Sequence, residues 1–147
     1  MRLERVLVIG WIAILWRGNT EEGEANLEVQ VLPGRIPIID VDGEIDHYVV
    51  PELESKIMAF INEGHASVIL DFSDVSYIDS AGIALIILSI QRSGPLGGKV
   101  GLVVTNENVI KILEIVGITK LAEAFSLYSS VDEALASMTG ERPSGNE

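Results

Sequence analysis

The sequence predicts an α/β fold, in which a mixed β-sheet with a parallel centre carries about four helices packed on it. Three observations predict this fold. The 147 residues are 48% apolar and 22% charged, which fits one domain with its own core. Alternating apolar residues after residue 26 indicate two strands that begin the sheet. A helix and then three strand–helix repeats follow them, and such repeats are typical of parallel strands.

The first two strands are predicted as a hairpin. Apolar residues recur at every second position, which is typical of a half-buried strand: Leu27, Val29 and Val31. Pro33 and Gly34 predict a turn. Residues 36–41 predict the second strand, so we expect the two strands to pair with each other.

An amphipathic helix follows the hairpin. It is predicted to begin at Pro51, because proline suits the first helical position, and to end at Gly64. Its apolar residues recur at helical spacing: Leu53, Ile57, Phe60 and Ile61. We therefore expect this helix to lie on the surface of the sheet.

The other strands are predicted from short, continuous apolar runs, which are typical of parallel strands buried on both faces. Two such runs occupy residues 68–70 and 100–104, and residues 124–128 predict a last, shorter strand. Each precedes a predicted helix, and the three helices cover residues 80–92, 109–116 and 131–138. Ser130 and Glu133 have the spacing of a capping box, which predicts the start of the last helix.

The charge balance indicates which partners suit the chain. There are 10 Lys and Arg residues against 22 Asp and Glu residues, and the net charge is −12. A protein this acidic is repelled by nucleic-acid phosphates and by anionic lipid surfaces, so we expect no direct nucleic acid binding. A basic protein surface is the better partner.

The chain contains no cysteine. This excludes disulfide bonds, thiol catalysis and cysteine-based zinc sites, and it fits a reducing compartment. We therefore expect a cytoplasmic protein.

Residues 1–25 are expected to lie outside the domain, as an apolar extension and a polar linker. The run from Val6 to Trp16 holds no polar side chain. As a helix it would measure about 17 Å, against about 30 Å for a bilayer core, so it predicts no stable membrane span. Weak peripheral membrane association through this run stays open. The domain is expected over residues 26–138, and residues 139–147 are expected to form a flexible tail.

Several catalytic motifs are excluded by their spacing. Residues 94–99 resemble a phosphate-binding loop, but Val100 stands where Ser or Thr would hold magnesium. His47 and His65 are the only histidines, and no further ligands accompany either of them at metal-binding spacing. Ser80 lacks the glycine of a nucleophile elbow, because Ile78 takes that position. We therefore predict no catalytic residue, no cofactor and no metal site.

Three carboxylates near residue 75 have two interpretations. Asp71, Asp74 and Asp79 could gather a hard cation such as magnesium or calcium. Turn and helix-capping roles explain the same residues with fewer assumptions, and we favour them.

Residues 71–82 are predicted as a loop between a buried strand and a very apolar helix. We expect the Ser80 hydroxyl to cap that helix, by accepting from the N–H of Gly82 or Ile83. Asp79 could be the cap instead, with Ser80 in the first turn. A regulatory role for the Ser80 hydroxyl is the further alternative.

The helix after Ser80 is apolar around its whole circumference, whereas a surface helix normally buries one stripe. If Leu85, Ile86 and Ile90 face the sheet, Ile83 and Ile87 lie on the outer side. A hydroxyl beside a small apolar patch is suited to a switchable interface.

Four motifs resemble a known family in order and spacing. They are Gly43-Glu-Ile-Asp46, Asp71-Phe-x-x-Val75, Tyr77-Ile-Asp-Ser-Ala-Gly82 and Ile115-Val-Gly-Ile118. Together they are similar to the STAS domain of bacterial anti-sigma factor antagonists. The similarity covers residues 26–138 and leaves out the N-terminal extension.

The resemblance implies a binding protein that is not an enzyme. In the family, the serine that matches Ser80 is phosphorylated by an anti-sigma factor that is itself a serine kinase. The unphosphorylated form binds that kinase and frees the sigma factor, and a phosphatase would be needed to reset the switch. Asp46 and Asp79 match acidic positions near the phosphorylation site. Ala81 departs from the family, where many members carry Ser or Thr, so Ser80 is the only hydroxyl residue among residues 78–83.

We therefore expect one contiguous partner-binding surface around Ser80. Its predicted residues are Asp46, Asp79, Ser80, Ala81, Gly82, Ile83 and Ile87. One alternative is a STAS subunit of a membrane transporter or lipid-transfer complex, which the apolar N-terminus favours. Nucleotide binding by the domain is a third alternative, but no phosphate-binding loop supports it.

Overall fold

The computed structural model describes residues 2–8, 13–19, 26–31, 36–120 and 123–139. Within these ranges, seven strands form one mixed sheet, in which their order follows the sequence. Neighbouring strands from β1 to β4 are antiparallel, and those from β4 to β7 are parallel. The strands are β1 (Arg2–Val8), β2 (Ala13–Asn19), β3 (Asn26–Val31), β4 (Ile38–Ile45), β5 (Val68–Ile78), β6 (Val100–Val103) and β7 (Phe125–Tyr128).

Four α-helices lie in the described ranges, and the predicted mixed sheet with about four helices is confirmed. The helices are α1 (Val50–Asn62), α2 (Ser80–Ser93), α3 (Glu107–Ile115) and α4 (Val131–Thr139). The first three each connect two neighbouring parallel strands, as parallel pairing requires. Residues 94–99, which resemble a phosphate-binding loop in the sequence, form the turn between α2 and β6, where Gly97 has a φ of 77°.

The helices cover the two faces of the sheet unequally. The larger core lies between the sheet and the first three helices, each of which contributes fully or almost fully buried leucines: Leu53, Leu85 and Leu113. On the other face, α4 packs through Ala134 on a smaller cluster that contains Ile69, Val103 and Tyr128. The carboxyl ends of the parallel strands, from which the chain enters each helix, therefore lie between the first three helices on one face and α4 on the other.

Strand β5 is longer than the sequence predicts. It continues through Ile78, so most of the predicted loop at 71–82 is strand. The register between β4 and β5 shifts twice, because Asp42 pairs with Asp74 and Glu44 pairs with Tyr77. Each shift adds one residue to β5, as a β-bulge does. The bulges explain the incorrect prediction: the buried side chains Phe72, Val75 and Ile78 recur every third residue, and not every second.

Residues 2–8 and 13–19 continue the sheet. The sequence predicts residues 1–25 to lie outside the domain, but the backbone of β2 pairs antiparallel with β3, and β1 pairs with β2. A continuous apolar run is compatible with either a helix or a strand, and its branched residues favour the strand. The boundary at residue 26 stays a prediction.

Other expectations fall partly or wholly on residues outside the described ranges. They are the turn at Pro33 and Gly34, most of the linker at 18–25, and the tail beyond residue 139. In the described part of the chain, no helix has the length and apolar character needed to cross a membrane.

A row of carboxylates crosses the sheet. Asp40 pairs with Glu28 on one side and with Asp71 on the other, and directly paired side chains share a face. Burial, together with the negative charges of Asp71, Glu28, Asp74 and Asp42, raises the pKa of Asp40 to about 6. Its buried Oδ1 has no hydrogen-bond partner within the described ranges. In contrast, Asp71 Oδ1 accepts from the N–H and the hydroxyl of Ser73, at 3.1 and 2.7 Å.

The Asp40→Asn variant should be more stable than the parent protein at neutral pH. The folded-state pKa of about 6 lies above the ordinary value of 3.8, so the folded protein binds this proton more tightly. The free energy of unfolding therefore falls as the pH rises from 3.8 to about 6. Because Asp40 is only partly buried, solvent screens its charge, and we expect a gain of about 1 kcal/mol at pH 7 in urea denaturation.

The exposed Asp42 provides the comparison, since Asp42→Asn removes the same charge from the same strand, and it should give the smaller gain because Asp42 is the weakest of the charges that raise the pKa of Asp40. The difference between the Asp40→Asn variant and the parent should shrink below about pH 4, where the parent carboxyl is protonated too. A constant difference between pH 4 and pH 7 would contradict the assignment.

Candidate functional site

The candidate site is located where β4 and β5 end side by side. Ile45 and Ile78 are paired in register, and both side chains are buried. The N–H of Asp79 donates to the carbonyl oxygen of Ile45 at 3.0 Å, which extends the pairing by one step. Asp46 and Asp79 each follow one of these isoleucines, so the two predicted acidic residues lie at the same edge of the sheet.

Asp79 is the N-cap of α2. Its backbone is extended (φ −99°, ψ −175°), and its Oδ1 accepts from the N–H of Gly82 at 3.0 Å. The sequence favours Ser80 as the cap, and this assignment is wrong: Ser80 is the first residue of the helix. The alternative that was left open, Asp79, is correct. Asp79 already satisfies the Gly82 N–H that Ser80 was predicted to bond.

The Ser80 side chain is exposed. It makes no hydrogen bond to any residue in the part of the chain that the structure describes. Because Asp79 does the capping, the Ser80 hydroxyl is not needed to hold the helix. It is open to solvent at the positive end of the helix dipole.

Gly82 fixes how closely α2 approaches the two strand ends. An added Cβ would lie 2.6 Å from Ile78 Cγ1 and 2.8 Å from Ile45 Cγ2. These distances are too short for any side chain, so only glycine allows the first turn of α2 to sit on the Ile45–Ile78 pair. The glycine thus sets the height of Ser80 above the sheet.

The outer side of α2 carries a partly exposed apolar strip. Leu85, Ile86 and Ile90 are buried against the core, as the spacing predicts. Ile83 and Ile87 are partly buried, and they contact the core while also reaching the surface. Ala81 is likewise partly buried. The predicted apolar patch beside Ser80 is therefore small and partly covered by its own fold.

Asp46 organises the turn between β4 and α1. Its Oδ1 accepts from the N–H groups of Tyr48 and Val49, at 3.0 and 3.2 Å. Its carbonyl oxygen accepts from Val49 and Val50, at 3.0 and 3.1 Å. Asp46 is therefore held in place by backbone groups, as Asp79 is.

Exposed aromatic residues at this edge were not predicted from the sequence as site residues. Tyr48 and Tyr77 are each about half exposed, at 48% and 47%. Tyr48 is two residues from Asp46, and Tyr77 is two residues from Asp79. That spacing was visible in the sequence, but the exposure of the rings was not.

No cation site forms among the described residues. None of their His, Asp or Glu side chains gather in a group of three or more that could hold a metal ion. Two of the three carboxylates considered for a cation have other partners, because Asp71 accepts from Ser73 and Asp79 caps α2. An open apolar cleft of about 200 Å³ lies at the ends of β6 and β7, and none of the predicted site residues lines it.

Comparisons with known proteins identify similar chains. The STAS domain model matches residues 26–134. The anti-sigma-B factor antagonist of Bacillus subtilis is 28% identical over 99 residues, which cover 67% of this chain and 90% of that protein.

Two solved structures of the anti-sigma factor antagonist SpoIIAA have a similar fold. The unphosphorylated form has a TM-score of 0.67 and 22% identity, over 79% of this chain and 98% of that chain. The phosphorylated form of the Bacillus protein has a TM-score of 0.60 and 21% identity, over 76% of this chain and 97% of that chain. At these identities the likeness shows the fold.

The Gly82→Ala variant should lose stability although alanine is the better helix former. Overpacking against Ile45 and Ile78 should outweigh the gain in helix propensity, for a net loss of about 1–2 kcal/mol in urea denaturation. Gly94→Ala is the matched control, because its Cβ would meet only Ala124 Cβ at an ordinary 3.5 Å. Equal stability of the two variants would contradict the close approach at Gly82.

Proposed function

Because the chain belongs to the STAS domain family and is similar to proteins named anti-sigma factor antagonists, we propose that it is a phosphorylation-controlled antagonist. Its partner is an anti-sigma factor that is a serine kinase. The unphosphorylated form binds the kinase, which releases the sigma factor, and phosphorylation of Ser80 ends the binding. The chain acts by binding in the cytoplasm and catalyses no reaction itself.

The exposed hydroxyl of Ser80 carries this proposal. A kinase needs a hydroxyl that reaches solvent, and Ser80 is exposed at the start of α2. It is the only hydroxyl residue among residues 78–83. The name of the solved SpoIIAA structure in its phosphorylated form gives a precedent for modification in a protein of this fold.

Phosphorylation should leave the fold intact. The phosphate would sit at a helix N-terminus, where free N–H groups and the helix dipole favour an anion. The cap of α2 belongs to Asp79, so the modification takes no hydrogen bond away from the helix. The switch therefore acts on the interface, and the domain stays folded.

The interface should not tolerate the new charge. A phosphate adds about −1.5 to −2 charges next to Asp46 and Asp79, at a surface that the partner would otherwise cover. Leaving such a charge buried without a partner costs roughly 3–5 kcal/mol. Since about 1.4 kcal/mol is a tenfold change, affinity should fall by two to four powers of ten, which is enough for a switch.

The remaining predicted residues complete the binding surface. Ile83 and Ile87 supply apolar contact along α2, and Ala81 lets the partner approach the first turn closely. Gly82 is buried, so it contributes only by setting the position of this turn. Asp46 and Asp79 attract basic groups of the kinase, in keeping with the net charge of −12. A phosphatase resets the switch.

The proposal predicts that the anti-sigma factor kinase of the same genome, mixed with ATP and the full chain, modifies Ser80 alone. Ser80→Ala should bind the kinase whether or not ATP is present. Ser80→Asp should bind at least about tenfold more weakly than Ser80→Ala, because its carboxylate places a negative charge close to the serine oxygen position. Mass spectrometry locates the phosphate, and calorimetric titration measures the affinities.

Equal affinity of Ser80→Ala and Ser80→Asp would refute the switch. Circular dichroism should show the same melting curve for both variants within a few degrees, which ensures that the difference comes from the interface. Co-purification of the full chain with a permease or ATPase, with Ser80 unmodified, would favour the transporter or lipid-transfer alternative.

A further inference from the structure

Two exposed tyrosines lie next to the proposed switch. Of the large apolar side chains that are exposed in the described ranges, Tyr48 and Tyr77 are the two aromatic ones. Tyr48 follows Asp46 by two residues, and Tyr77 precedes Asp79 by two residues. Since Ile45 and Ile78 pair in register, Tyr48 and Tyr77 both lie near the edge of the sheet that carries Ser80.

The tyrosines are positioned by their surroundings and are free to bind. The N–H of Tyr48 donates to Asp46 Oδ1 at 3.0 Å, and its ring lies 4.1 Å from the ring of His47, measured between centroids. Tyr77 is held in β5, where it pairs with Glu44. Neither phenol hydroxyl makes a hydrogen bond to another described residue. The exposed parts of both rings, which for Tyr48 exclude the side next to His47, and both hydroxyls are available to a partner.

The charged residues beside the two tyrosines are acidic, and the surrounding chain contains almost no basic residues to balance their negative charge. Lys56 is the only Lys or Arg between Ile36 and Gln91, a stretch that contains β4, α1, β5 and most of α2. Glu44, Asp46 and Asp79 all lie beside the tyrosines in register or in sequence. A group that binds here must therefore tolerate aromatic faces and also bring positive charge.

We propose that Tyr48 and Tyr77 are docking residues for a segment of the partner that carries arginine. The inference rests on the proposed function, since the partner is the anti-sigma factor kinase, and it adds both the residues and the chemistry of docking. The planar guanidinium stacks on an aromatic face while its N–H groups donate to carboxylates. Tyrosine also gives large contact area at a low cost in side-chain entropy, and it is enriched among the residues that dominate binding energy.

Arginine fits this surface better than lysine. The lysine ammonium is strongly hydrated and has no flat face, so it gains less from a tyrosine ring. Arginine in contrast uses the ring and a carboxylate together, in a fork of donors that suits Asp46 or Asp79. The surface therefore selects for the type of cation as well as for its charge.

The first experiment measures kinase binding with the full chain. Tyr48→Leu and Tyr77→Leu keep an apolar side chain but remove the aromatic face, and each should weaken binding about tenfold. Tyr48→Phe and Tyr77→Phe keep the face and should stay within about threefold of the parent. Ile115→Ala is the matched control, because Ile115 is 76% exposed at the end of α3, and it should bind as the parent does.

The second experiment uses defined cationic probes and needs no kinase. Tetra-arginine and tetra-lysine peptides are titrated into the full chain at low salt, and the ring protons of Tyr48 and Tyr77 are followed by NMR. Tetra-arginine should shift both rings and bind at least about threefold more tightly than tetra-lysine. Equal binding of the two peptides, or unshifted rings, would overturn the proposal.

The outcomes separate this inference from the proposed function. If the Ser80 variants switch binding as expected and the leucine variants bind like the parent, the docking role of the tyrosines is wrong and the switch stands. If the chain binds no kinase, the proposed function is wrong, and the peptide titration decides whether the tyrosines select arginine.

Discussion

The whole site depends on the way β4 and β5 finish together. The Ile45–Ile78 pair is buried, and the hydrogen bond from the Asp79 N–H to the Ile45 carbonyl locks the two strand ends. From this point the chain turns into α1 through Asp46 and into α2 through Asp79. Gly82 then allows the first turn of α2 to rest on the same two isoleucines. Apolar packing thus sets the positions of the polar groups above it.

Much of the fold follows from local sequence patterns. The helical spacing of Leu53, Ile57 and Ile61, with proline at its start, is enough to predict α1. The length of β5 was not predictable in this way, because two bulges replace alternation with a spacing of three. Bulges depend on pairing with a neighbouring strand, which a single sequence does not display. The N-terminal run is equally ambiguous, since an apolar stretch fits a helix or a strand until its pairing partner is known.

Some features of the site can likewise be predicted from the sequence, and others become visible only in the structure. Ser80, Asp46 and Asp79 stand out in the sequence by residue type and spacing, and the structure brings them to one edge. The sequence favours Ser80 over Asp79 as the cap, but both are good capping residues at adjacent positions, so residue type cannot decide between them. The choice is decided by backbone conformation, which is extended at Asp79 and helical from Ser80 onward. The exposure of Tyr48 and Tyr77 depends on what packs against them, and no local pattern encodes it.

The separation of the capping carboxylate from the exposed hydroxyl has a kinetic consequence. A hydroxyl that held the helix would become reactive only when the first turn of the helix opened, and the rate of its chemistry would follow the frequency of that opening. Ser80 needs no such event, because Asp79 keeps the turn closed while Ser80 faces water. The speed of any reaction at this oxygen is therefore set by the enzyme that approaches it. It is insensitive to how tightly the rest of the domain is folded.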